Sequence, residues 1–90
     1  MANSTKNKID KLKGNMLKVM LVFSVEKELA KVNNFVYVME NYDILDKEDT
    51  REIMSLLGDP EYYLKLSCDD FKNLCMEIMK NQILSFVINS

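Results

Sequence analysis

The chain has 90 residues, 48% hydrophobic and 29% charged, with a formal net charge of −2 at neutral pH. That length predicts a single domain, 1–90, and that composition excludes wholesale disorder. The small net charge argues neither for nor against a nucleic-acid partner, and the lack of histidine removes the commonest general base.

Two glycines and one proline leave few sites for hairpin turns, which favours helices. Residues 1–6 are polar and expected to fray. From Lys8 onward, Ile9, Leu12, Met16, Val19 and Phe23 recur at spacings of three and four, one clean helical stripe. Gly14 lies off that stripe. Lys6, Lys8, Lys11, Lys13 and Lys18 make this end basic. The stretch MLKVMLVF (residues 16–23) carries more apolar surface than one stripe uses. On a wheel of about 100° per residue, Met16, Val19, Met20 and Phe23 cover one side, Leu17 and Leu21 stand roughly 100–140° away from it, and Val22 lies on the far flank near Lys18. This surplus needs a second cover, from the domain itself or from a partner. Lys18 interrupts the run and no small-residue cleavage site follows it, so a secretory signal is not expected. No apolar run approaches the roughly 20 residues a membrane-spanning helix requires.

Ser24 is a suitable N-cap for a second helix running to Tyr42 or Asp43. Val25, Leu29, Val32, Val36 and Met39 form its stripe, beside a row of Phe35, Val38 and Tyr42. Asp46 is expected to cap a third helix with Ile53, Met54, Leu56 and Leu57 on its apolar face, and Gly58 to end it. Asp59-Pro60 then starts a short fourth helix through Tyr62, Tyr63, Leu64 and Leu66. Residues 40–61 form an acidic middle that could meet a basic partner. Ser67 caps a last helix, with Phe71, Leu74, Cys75, Ile78 and Met79 facing inward. Cys68 and Cys75, seven residues apart on one helix, would lie about 10 Å apart, too far to bridge. Free thiols suit a reducing cytoplasm. The reading is an all-α fold: a small compact bundle of about five helices, with a helix-turn-helix-like arrangement in the C-terminal half.

The residues show no catalytic constellation. Gly14 and Gly58 are isolated, so no phosphate-binding loop exists. Two thiols without histidine make a zinc site unexpected, and no cofactor is expected. Direct sequence-specific DNA reading is also not expected, because basic residues are not interleaved with aromatics. Interaction with another protein is the remaining function class.

The segment KNKID (Lys6–Asp10), the apolar first helix ending in Phe23-Ser24, the pair Asn34-Phe35 followed by Glu40, and TREIMSLL (Thr50–Leu57) resemble the AsiA-like anti-sigma proteins of T-even-type bacteriophages. The resemblance spans residues 6–57 and continues beyond Gly58 only in helical type. It implies a helical protein that binds region 4 of the host's primary sigma factor. Binding would block recognition of the −35 promoter element and redirect RNA polymerase to phage promoters with a second phage activator. It also implies a homodimer when free. Carried over, the contact residues are Leu12, Met16, Val19, Met20 and Phe23, with Val38 and Tyr42 from the second helix. Leu17 and Leu21 would then face the core. Where the family has a basic residue before the phenylalanine, this chain has Val22, which puts any charge contact there in doubt. The alternative is a different helical binding module, such as an immunity-type protein directed at another target.

Overall fold

Helix α1 runs without a break from Ala2 to Glu28 in the computed structural model, which describes residues 2–89. A helix of this length spans about 40 Å, and it sets the long axis of the molecule, whose extents are 43 × 24 × 19 Å. It begins earlier than its polar first residues led us to expect, because nothing between Ala2 and Asp10 breaks a helix. It also continues through Ser24, which is an exposed mid-helix residue and caps nothing. Gly14 is tolerated inside it, with open space around the position of a Cβ.

The break comes instead at Ala30. The Ala30 N–H donates to the Lys27 carbonyl, and the Lys31 N–H to the Glu26 carbonyl. These are the two bonds of a Schellman motif, with Ala30 in the left-handed position at φ 54°. Glycine normally holds that position, since any side chain is strained there by about 1–2 kcal/mol. A 3-10 turn at Val32–Asn34 follows, and then α2, Phe35–Asn41. The expected second helix from Ser24 to Tyr42 is thus split: its first turn belongs to α1 and its last two turns form α2.

The remaining helix starts follow their local signals, whereas the short fourth helix stops at Tyr63, before the Leu64 and Leu66 expected in it. Helix α3, Lys47–Leu57, is capped by Asp46, whose carboxylate accepts the Asp49 N–H at 2.8 Å. Gly58, at φ 81°, ends it. Helix α4, Pro60–Tyr63, has Asp59 accepting from the Glu61 N–H and proline in its first turn. Helix α5, Cys68–Ile88, has the Ser67 hydroxyl accepting from the Asp70 N–H at 3.1 Å. The all-α bundle is as expected, with no strand among the described residues.

Helices α1 and α5 pack antiparallel. Phe23 stacks on Phe71 near one end, and the Lys8 ammonium lies over the Phe86 ring toward the other. Between them, Leu12, Met16, Val19 and Phe23 meet the face of α5 that carries Phe71, Cys75 and Met79. Four aromatic rings anchor the centre. Phe23 and Phe71 are parallel with centroids 3.8 Å apart. Phe35 sets its edge against both, at 5.6 and 5.7 Å, and Tyr63 meets Phe35 at 5.9 Å. Edge-on contacts of this kind add about 0.5–1.5 kcal/mol each beyond area burial. Met39, Leu45, Ile53 and Leu57 complete the core. Leu74 and Ile78, expected inside, are half-buried at its margin.

Candidate interaction surface

Helix α1 has two apolar faces, and the domain uses one. The stripe Leu12, Met16, Val19, Phe23 is buried, with Met16, Val19 and Phe23 fully inaccessible. The second row is Leu17, Leu21, Val25 and Leu29. Leu17 and Leu21 are 64% and 65% exposed, and Val25 and Leu29 are exposed as well. Steps of four residues keep this row continuous along the helix surface. Leu21 points almost directly away from the core, about 180° from the centre of the stripe at roughly 100° per residue.

This reverses the assignment that the resemblance implied. Leu12, Met16, Val19 and Phe23 are core residues in this fold, so they do not form a surface that a partner can reach. Leu17 and Leu21 face solvent rather than the core. The reason is the aromatic cluster. Phe35 and Phe71 pack directly on Phe23 and Tyr63 backs both of them from a third helix, and that cluster fixes which way α1 is turned. Met20 is half-buried at the edge of the stripe, and Val38 is half-buried on α2. Tyr42 is exposed, just past α2, and its ring meets that of exposed Tyr37 edge-on at 6.1 Å. The seven residues therefore do not share one surface: four are internal, two are marginal and one is on the outside. Val22 is half-buried against the core and does not join the outer row.

A groove of about 450 Å³ runs between α1 and α5, lined by Leu17, Met20, Met76, Met79 and Ile83 and flanked by Lys13, Lys72 and Lys80. Sequence reasoning missed its α5 wall. The signal was present, since Lys72, Met76 and Lys80 recur every four residues and share a face of α5. Reading α5 only for its inward stripe hid that row.

The acids of the middle segment are solvated on α3 and around its ends. Glu48 and Glu52 are exposed on α3, and Glu40, Asp43 and Asp46 are exposed near its start. Asp49 is held back from this group by an ion pair with Lys11 at 3.2 Å, and that carboxylate raises the Lys11 pKa. The Cys75 thiol is buried, and burial pushes its pKa up to about 12, so it is protonated and inert. Cys68 is exposed and free. Among the described residues, no group of three or more histidine, cysteine or acidic side chains could hold a metal ion, and no helix is long and apolar enough to cross a membrane. Two buried polar atoms, Glu26 Oε2 and Tyr63 Oη, have no hydrogen-bond partner. Comparison of the chain with protein families, with curated proteins and with solved structures finds no match.

Proposed function

We propose that the chain acts by docking another protein on the outer face of α1, and that this partner is region 4 of a bacterial primary sigma factor, whose recognition of the −35 element it blocks. The observation that carries the docking is the uncovered row Leu17, Leu21, Val25 and Leu29. A contiguous exposed apolar row is a common mark of a protein-binding surface. The choice of sigma region 4 comes from the resemblance, and charge supports it. Region 4 binds DNA and is basic, while Glu40, Asp43, Glu48 and Glu52 are exposed on this chain. Such charges speed encounter and set orientation, and buried apolar anchors supply affinity, about 2 kcal/mol or more each on truncation.

Titration calorimetry of the full chain against isolated region 4 tests this reading. A defined one-to-one complex is expected, lost in Leu21→Asp at unchanged helicity. No complex with the wild-type chain removes sigma region 4 as the partner. A complex that Leu21→Asp leaves intact removes the outer row as the surface.

A further inference from the structure

We infer that the groove between α1 and α5 is a second docking site, and that it takes an acidic amphipathic helix of another protein. The inference goes beyond the sigma reading, because it concerns the side of α1 that meets α5, which shares only Leu17 with the outer row, and a partner of opposite charge. The groove is bounded by Leu17 on α1 and by Met76 and Ile83 on α5, and its lining is nearly devoid of polar atoms. Leu17 and Met76 are 64% and 51% exposed. The residues of α5 that line it, from 72 to 83, span about 16 Å, the length of three turns of a partner helix. An open apolar groove between two antiparallel helices can receive a third helix laid along it. Methionine in the wall suits such a site, since its flexible thioether adapts to the side chain that enters.

Charge selects among the possible occupants. Lys13 stands on the α1 side, Lys72 and Lys80 on the α5 side, and all three are exposed. None forms an ion pair with a carboxylate among the described residues, where the ion pair present is Lys11 with Asp49. A helix with an apolar stripe flanked by glutamates would bury the stripe and set its acids against these lysines. A second copy of this chain docked groove to groove would set the same three lysines against each other, and like charges facing each other cost several kcal/mol. A lipid surface is flat and prefers a protruding apolar face, which the outer row of α1 provides and a recessed groove does not.

The test uses the full chain and two synthetic amphipathic helices of about 18 residues, with leucine at positions i, i+3, i+4 and i+7. One carries glutamate on both flanks and the other carries lysine. Fluorescence anisotropy is expected to show the glutamate peptide binding at least about tenfold more tightly, with affinity falling as salt is raised. The exposed triple variant Lys13→Glu, Lys72→Glu, Lys80→Glu should reverse that preference while its circular dichroism stays unchanged. Leu21→Asp, outside the groove, should leave peptide binding intact, which separates this site from the sigma-binding face. Equal affinity for the two peptides, no binding of the glutamate peptide, or a triple variant that binds like the wild type would overturn the proposal. So would capture of the chain by anionic phosphatidylserine vesicles that the glutamate peptide cannot compete away, or self-association that blocks the groove.

Discussion

The two faces of α1 should respond oppositely to truncation, and the contrast can be worked out in energies. Phe23→Ala removes a fully buried ring that stacks on Phe71 and meets the edge of Phe35. Large-to-small changes at such sites cost about 3–5 kcal/mol. A 90-residue chain has a total stability of roughly 5–13 kcal/mol. Phe23→Ala therefore removes a large fraction of the total. Leu21 is 65% exposed. Burying about a third of a leucine contributes about 0.5–1 kcal/mol, and alanine's better helix propensity returns part of it. Leu21→Ala should cost less than about 1 kcal/mol on that balance. Urea unfolding followed by circular dichroism at 222 nm measures both at constant m-value. The variants should differ by about 2–4 kcal/mol. If Leu21→Ala costs as much as Phe23→Ala, α1 is turned the other way and the outer row is core.

Three further outcomes follow from particular residues. Ala30→Gly should stabilise the fold by about 0.5–1 kcal/mol in the same unfolding assay, because glycine relieves the left-handed strain at that residue at some cost in unfolded-state entropy. Stability should fall as the pH rises from about 9 to 12. Burial raises the Cys75 thiol from 9.0 and the Tyr63 hydroxyl from 10.0, each to about 12, with Glu40 and Asp59 adding to the tyrosine shift. In the fold both groups stay protonated up to about pH 12. Unfolding then releases protons as soon as the unfolded-state values are passed, so stability is complete below about pH 9 and is lost through 12. Tyr63→Phe should remove the tyrosine share of this loss and be neutral or stabilising at pH 7, since its hydroxyl has no partner. Finally, a thiol reagent at pH 8 should label Cys68 quickly, and Cys75 only at the rate of unfolding.

The helices whose ends carry strong local chemistry were legible in the sequence. Asp46, Gly58, Asp59-Pro60 and Ser67 each act as their residue types suggest. The α1–α2 boundary was not legible, because the residue that turns the chain is an alanine held in a glycine's conformation, and Ser24 offered a cap that the continuing helix has no use for. Periodicity revealed the buried stripe and the Leu17-Leu21 ridge of α1, but it assigned Val25 and Leu29, both exposed, to the inward stripe of a second helix and gave no direction to either row. A lone helix does not say which of two rows is inside. That choice is made by Phe35 and Phe71, which pack on Phe23, and by Tyr63 behind them. The resemblance pointed to the row that the aromatic cluster claims for the core. The groove was illegible for a related reason, since its two walls, residues 13–20 of α1 and 72–83 of α5, lie more than fifty residues apart along the chain.

Hydroxyl-radical footprinting of the full chain, alone and with sigma region 4, tests the central claim most directly. In the free protein Leu17, Leu21 and Leu29 should be oxidised readily, while Met16 and Phe23 stay silent despite their reactive side chains. Adding region 4 should protect Leu17, Leu21 and Leu29. Oxidation of Met16 and Phe23 in the free chain, or an outer row equally reactive with and without region 4, would contradict the account.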